Sequence, residues 1–421
     1  MSMETKKTLL HKWHKEHGAN MAAFGAYDMP LWYPKGAKGE HLAVINSAGI
    51  FDTSHMAVVI VDGAGARELL QRCVTKDLEC CLGAKKTPLV EGRCVYGIIL
   101  TPDAHVLDDC IVYQVTDAIY MVVVNAGMGA KVADHLLANA SGLEVRVDDL
   151  TDQVGKIDVQ GKDSARIVSK LLAAPGAVLE KMPYFSFKGW FGTGVGEGGV
   201  KLQDGTPILL SRTGYTGEFG FEIFVDPAKL VSLWKMLLEA GEEFSLEPCG
   251  LAARDSLRAG AVLPLSHQDI GDWPFAENPW SFAVAEKQED GGFTKKFIGS
   301  EFLKNFQPSE FTLPFAGFDP RKMVVSEKSY VASSEGDKIG TILTCATDMA
   351  IGRVEGDIVS IGSSQEGFVP KGLSCGFVKV NQKLAEGTII FLTDGKRKIK
   401  VEIRSDVRPD RTARRPIKEM L

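Results

Sequence analysis

Residues 59–70 read VIVDGAGARELL, and residues 157–168 read IDVQGKDSARIV. Each segment begins as an apolar strand, turns at a glycine (Gly63 or Gly161) and continues with helical spacing. In the first copy the strand is expected over 57–61 and the helix over 64–73. In the second they are expected over 156–160 and 164–172. A strand–turn–helix pattern met twice predicts an α+β fold of two related units, roughly 45–150 and 151–295. Between the copies, 94–100 and 110–114 flank the turn Thr101-Pro102-Asp103-Ala104 and read as paired strands. Residues 120–124 read as a further strand, and 129–140 as a helix.

A charged, glycine-bearing stretch at 287–293 (KQEDGGF) marks the end of this first region, 1–295. After it, short β-rich runs at 338–343, 373–380, 388–392 and 399–403 are separated by turns. That spacing predicts a small C-terminal β-barrel over 310–421. Lys and Arg crowd 396–418, which reads either as a solvated end or as a docking patch for an acidic partner. Near the N-terminus, 5–17 fits a short amphipathic helix. His11, His14 and His17 recur every third residue, a spacing that drifts around a helix, so a solvated face is expected rather than a metal site.

Composition narrows the function classes. The chain has 421 residues, with 48 Lys+Arg against 54 Asp+Glu and a formal charge of −6. A mildly acidic chain is a poor match for nucleic acid, whose phosphates want a basic face. Apolar residues make up 45 % and charged residues 24 %, as in ordinary globular proteins, which argues against disorder, fibres and coiled coils. No apolar run approaches the roughly 18 residues of a membrane helix, and the most apolar stretch, 118–126, reads as a buried strand. The first residues carry charge throughout, unlike a secretory signal. Eight cysteines are thinly spread without a CxxC pair, so no metal is expected. Free thiols in a reducing cytoplasm fit them best. Gly194, Gly196 and Gly199 spell GxGxxG, but strand-like residues follow where a dinucleotide site needs a helix, so a hairpin loop is expected.

More informative are polar residues embedded at strand ends. Asp108 and Asp109 interrupt an apolar run, and neighbours on a strand project to opposite faces, so one at most should enter a given pocket. Asn125 follows four apolar residues, and its amide can donate and accept at once. Residues 211–221 (SRTGYTGEFGF) pack Arg, Thr, Tyr and Glu among glycines that allow close backbone approach, and Tyr215 offers a flat face for stacking. Residues 248–258 (PCGLAARDSLR) enter a helix carrying Arg254, Asp255 and Arg258.

Taken together these segments resemble the aminomethyltransferase family, the T-protein of the glycine cleavage system. The likeness runs through FGAYDMPLWY (24–33), EHLAV (40–44), GIFDTSHM (49–56), Tyr96, VLDD (106–109), VVNA (123–126), VQG (159–161), RTGYTGE (212–218) and GLAARD (250–255). It implies a three-domain cloverleaf: two α+β units around a channel for tetrahydrofolate, and a terminal β-barrel. It implies an enzyme that takes the aminomethyl group from the lipoyl arm of the H-protein, releases ammonia and passes the methylene to tetrahydrofolate. By the same resemblance Asp109 is the catalytic carboxylate and Asp108 a structural one. Tyr96, Asn125 and Glu222 match positions that contact folate, the last two along the pterin edge. Met56, Tyr184 and Tyr215 match groups around the ring, and Arg254 matches a cofactor-contacting arginine. His55 lacks an evident triad partner, and a packed, hydrogen-bonded histidine is expected.

Departures from the family pattern fall at Ile45, Phe185, Ala259-Gly260 and Phe282, and a glycine-rich insertion occupies 192–205. They leave folate binding better supported than the identity of the one-carbon donor. A methyltransferase or demethylase acting on a small S-, N- or O-methylated compound is the alternative. A folate-binding protein without transfer is a third class, but its K-G-C-x-x-G-Q-E motif is absent: Lys371-Gly372 runs into Leu373.

Overall fold

Two glycines fix where each α+β unit turns. Gly63 and Gly161 have φ of +134° and +124°, and a Cβ would lie 2.2 Å from the Glu144 carbonyl oxygen and 2.3 Å from that of Ser47. Only glycine tolerates both the dihedral and the contact, and the two equivalent turns give the two copies the same local shape. The structure is a computed structural model that describes residues 5–192, 199–363 and 368–421.

A short helix, α1 (His11–Glu16), precedes the hairpin β1 (Asn20–Phe24) and β2 (Tyr27–Trp32), then helix α2 (Gly36–Asn46) and strand β3 (Gly49–Asp52). The first unit follows: β4 (Ala57–Asp62), α3 (Ala66–Cys73), β5 (Arg93–Leu100), β6 (Val106–Gln114), β7 (Ile119–Val124), α4 (Gly129–Ala138) and β8 (Arg146–Asp149). Its sheet runs β5-β6-β7-β4-β8. The second unit holds β9 (Gly155–Gln160), α5 (Ser164–Leu171), α6 (Pro175–Leu179), β10 (Phe187–Gly189), β11 (Ile208–Ser211), β12 (Gly220–Val225), α7 (Pro227–Gly241), β13 (Glu247–Pro248) and α8 (Leu251–Gly260). Its sheet runs β10-β11-β12-β9-β3-β13. Beyond α9 (Ser300–Asn305), a closed barrel joins β14 (Phe311–Gly317), β15 (Tyr330–Ala332), β16 (Lys338–Asp348), β19 (Leu373–Val380), β20 (Ile389–Thr393) and β21 (Lys398–Ile403); the hairpin β17 (Ile351–Val354) and β18 (Asp357–Ser360) stands outside it. The α+β class and the terminal barrel thus match the reading of the sequence.

β3, within 45–150, belongs to the second sheet: it pairs with β9, placing Gly49 opposite Gln160, and with β13 on its other edge. All four β3 residues are buried, so both edges need partners, which the second sheet supplies. His14 does not lie on a solvated face. It is fully buried between Asp52, whose Oδ2 is 3.0 Å from Nε2, and the Tyr33 hydroxyl, 2.8 Å from Nδ1. The basic tail is not a free end either. Arg408 is buried against Glu218 and Asp348, the Arg212 guanidinium donates to the carbonyls of Ala413 and Arg415, and Met420 enters the core of the second unit. A buried guanidinium needs such paired carboxylates. Of the GxGxxG segment, Gly194 and Gly196 lie outside the described residues. Among the described residues no helix is long and apolar enough to cross a membrane, and all eight cysteines are free.

Candidate functional site

The first sheet supplies a carboxylate pair. In the β5–β6 ladder Ile98 faces Asp109, so Tyr96, two residues along, shares a face with Asp109 on the diagonal. The Tyr96 hydroxyl donates to Asp109 Oδ2 at 2.7 Å. β7 ends at Val124, opposite Cys110. Asn125 therefore falls just past the ladder, where its side chain reaches the ends of both acids. Its Nδ2 donates to Asp109 Oδ1 at 2.5 Å and to Asp108 Oδ1 at 2.7 Å, while its backbone N–H donates to Asp108 Oδ2 at 2.9 Å. The expectation that the two acids diverge holds only in part: Asn125 gathers them because it sits beyond the strand's end.

The loop after α8 closes over Asp108. Ser266 Oγ donates to its Oδ1 at 2.8 Å, and His267 Nε2 lies 3.7 Å from the same oxygen. His267 has φ of +61°, a left-handed conformation that costs a non-glycine residue energy and recurs at functional sites. Burial pushes the carboxyls of Asp108 and Asp109 upward, and for Asp108 repulsion from Asp109 adds to it. Phe282 is exposed and its ring lies 5.9 Å from that of Tyr96.

The second sheet supplies a buried charge cluster. Lys156 and Asp158 share one face of β9, and Glu222 stands opposite Asp158 on β12. Lys156 Nζ donates to Glu222 Oε1 at 2.5 Å, Asp158 Oδ1 at 2.7 Å and Thr53 Oγ1 at 3.2 Å. Thr213 donates to Glu222 Oε2 at 2.5 Å. From α8, Arg254 Nη1 donates to Asp158 Oδ2 at 2.8 Å while its guanidinium lies 4.9 Å from the Tyr215 ring. Burial opposes charge on Asp158, but Lys156 and Arg254 outweigh it and hold the carboxyl below its usual range. The Tyr215 hydroxyl donates to the Pro264 carbonyl, fastening the ring to the loop that carries Ser266.

Of the residues singled out in the sequence, Asp109, Tyr96 and Asn125 meet at the acid pair, and Glu222, Arg254 and Tyr215 meet around Lys156 and Asp158. Burial raises the Tyr215 hydroxyl, with the charge of Arg258 opposing the shift and that of Asp109 adding to it. Met56 is half-buried against the apolar cluster that also holds Phe185 and Leu209. Tyr184 sits to one side, its ring 5.9 Å from the guanidinium groups of both Arg212 and Arg414. Glu222 is not a lone carboxylate, since Lys156 and Thr213 each already hold one of its oxygens. Lys156, Asp158, Thr53, Thr213, Ser266 and His267 were missed. Lys156 and Asp158 left a trace: in KIDVQ the polar residues alternate with apolar ones on a strand that is buried throughout.

His55, expected to be packed and hydrogen-bonded, is packed only. It is buried beside Phe24 and Tyr27, and its Nδ1 has no hydrogen-bond partner among the described residues.

Residues 10–274 match the family model described as the GCVT N-terminal domain. The chain is 35 % identical over 357 residues to an aminomethyltransferase of Streptomyces coelicolor, covering 84 % of this chain and 88 % of that protein. It is 30 % identical over 387 residues to the aminomethyltransferase of Bacillus subtilis, covering 91 % and 98 %. The crystal structure of the glycine cleavage system aminomethyltransferase T from Bartonella henselae superposes with a TM-score of 0.73 at 27 % identity, over 95 % of this chain and 96 % of that one. The chain belongs to the aminomethyltransferase family defined by the GCVT domain.

Proposed function

We propose that this enzyme takes the aminomethyl group from the lipoyl arm of an H-protein, releases ammonia and passes the methylene to tetrahydrofolate. The observation that carries the reading is the acid pair held by Asn125, with Tyr96 on Asp109 and an exposed aromatic edge at Phe282 beside it. The residues fit a reduced pterin. Asn125 Nδ2 is committed to the carboxylates, which leaves its carbonyl to accept, and Arg254 spends one donor on Asp158 and keeps others. Tetrahydrofolate supplies the nucleophilic nitrogen that receives the methylene.

In this reading Asp109 hydrogen-bonds the accepting nitrogen and stabilises the positive charge that develops as ammonia departs. Tyr96 and Asn125 fix the orientation of that carboxylate, and Asp108 anchors Asn125. Glu222 acts together with Lys156 along the pterin edge, since each of its oxygens keeps a second lone pair. Tyr215 offers the ring face that Arg254 does not cover, Tyr184 and Met56 flank the ligand, and Arg254 supplies positive charge to it. The partner is the lipoylated H-protein. Eight free cysteines favour a reducing cytoplasmic setting.

Asp109→Asn tests the assignment. The variant keeps its fold and most of its tetrahydrofolate affinity, and its turnover falls by roughly 10²-fold or more, as when a charge-stabilising group is removed. Turnover at the wild-type rate would remove Asp109 from the mechanism.

A further inference from the structure

The acid pair is short of positive charge. Elsewhere the buried carboxylates of Asp158, Glu222, Asp269 and Asp348 each accept a hydrogen bond from a lysine or an arginine. Asp108 and Asp109 accept theirs from Tyr96, Asn125 and Ser266, which are all neutral. Asp108 is fully buried and Asp109 half-buried, and two adjacent carboxylates in such a place repel each other and favour keeping a proton between them. Among the described residues one basic group forms an ion pair with either acid: His267, whose Nε2 lies 3.7 Å from Asp108 Oδ1.

The loop on either side of His267 is fastened. Before it, the Leu265 N–H donates to Asp269 Oδ2 at 3.0 Å and Ser266 Oγ donates to Asp108 at 2.8 Å. After it, Gln268 Nε2 donates to the Leu343 carbonyl at 3.0 Å and to Thr344 Oγ1 at 2.7 Å. The backbone between them is held at φ of +61°, at a cost for a residue with a side chain. The imidazole is 48 % exposed and makes no hydrogen bond among the described residues, so it is open to proton exchange with water. The charged groups that face it are Asp108 and Asp109 on β6 and Lys131 on α4, while Asp269 on its own loop is paired with Arg258. Burial lowers the imidazole below its ordinary value, the charge of Asp109 opposes that and Lys131 adds to it. The ring therefore gains its charge on the acid side of neutrality.

We propose that His267 is a positioning residue of the acid pair, whose imidazolium supplies the counter-charge that keeps Asp109 ionised as the pH falls. The ring takes its proton from water and holds it, and no proton passes from it to the ligand. That this governs turnover rests on the reading above in which ionised Asp109 serves the transfer. The effect on Asp109 is reciprocal: burial raises that carboxyl, and the hydrogen bonds from Tyr96 and Asn125 and the charge of His267 work against the rise. The working range of the site is thereby extended to lower pH.

The first measurement uses the ligand-free full chain. An NMR titration of ¹³C-labelled histidine, with the His267 signal assigned through its absence in His267→Gln, should give a His267 pKa that falls by about one unit in Asp109→Asn, the usual effect of losing an opposite charge close by. An unchanged His267 pKa in Asp109→Asn would overturn the proposal and leave the ring a solvated side chain. The second is the pH–kcat profile of aminomethyl transfer. In His267→Gln the rising step should move up by about one unit, a loss of up to about tenfold in turnover near pH 6 that shrinks towards pH 8. His267→Gly, which relieves the left-handed backbone of its Cβ, should show the same displaced step even if the glutamine variant folds poorly. An equal loss at every pH would make His267 a structural part of the loop and overturn the proposal, as would a step left in place. Absence of aminomethyl transfer by the wild type would refute the reading of the reaction instead. The titration needs neither ligand nor turnover, and it then decides the role of His267 by itself.

Discussion

Lys156→Met removes the one cation that, among the described residues, both Asp158 and Glu222 touch. Lys156 is 2 % exposed, Asp158 is fully buried and Glu222 is 5 % exposed, so neither carboxylate can turn to solvent when the ammonium is lost. Three hydrogen bonds disappear, at 2.5, 2.7 and 3.2 Å, and Arg254 remains as partner to Asp158 alone. Breaking a buried ion pair by deleting one member typically costs about 3–5 kcal/mol, because the survivor stays charged in a poor solvent. Urea unfolding at pH 7 reads the loss directly. The pH dependence supplies a second check. Stranded carboxylates are penalised only while ionised, so the difference from wild type should be largest at neutral pH and shrink towards pH 4 as they protonate. Adding Glu222→Gln to Lys156→Met should recover part of the loss, since one stranded charge is then gone. A loss below about 1 kcal/mol, or one that does not change between pH 7 and pH 4, would refute the picture of a closed charge cluster.

Other consequences are more local. Asp52 is fully buried, yet its hydrogen bonds from His14, Ser54 and Thr8 outweigh burial and bring its pKa down to about 2. A depressed carboxylate gives stability above its unfolded pKa and loses it as pH falls through the folded one, so about 2 kcal/mol should vanish between pH 4 and pH 2. Asp52→Asn should flatten that part of an acid-unfolding curve. Arg408→Met removes the buried cation from Glu218, leaves Asp348 with His41 alone as a charged partner, and should cost about 3–5 kcal/mol in urea, with faster proteolysis of the tail beyond residue 404. Because burial raises Asp109, activity that needs it ionised should rise with pH through a step above the ordinary carboxylate range. A pH–kcat profile would record that step.

The elements that share one local signal were legible in the sequence. Glycine turns after apolar strands marked both units because Gly63 and Gly161 meet backbone that no side chain can clear. The barrel strands showed as short runs between turns. What stayed hidden depends on contacts far apart in the chain. β3 crosses to the second sheet because a doubly buried strand takes whichever edges are free, and four residues do not say which. Arg408 looked like one more basic tail residue until Glu218 and Asp348, 190 and 60 residues away, were seen to hold it. His14 resembled a surface histidine because its partner Asp52 lies 38 residues on. At the site, the family motifs pointed to Asp109, Tyr96 and Asn125. Lys156 and Asp158 alternate in a strand that otherwise reads as core, and their meaning appears only when Glu222 is laid opposite.

Service of this acid pair and charge cluster in aminomethyl transfer to tetrahydrofolate is tested by ammonia release from an H-protein whose lipoyl arm carries the aminomethyl group, with and without tetrahydrofolate. Ammonia should be released stoichiometrically with formation of methylene-tetrahydrofolate, dependent on both the loaded carrier and tetrahydrofolate. No release from the loaded carrier, with turnover instead from a small S-, N- or O-methylated compound, would contradict it and make the protein a methyltransferase on the same scaffold.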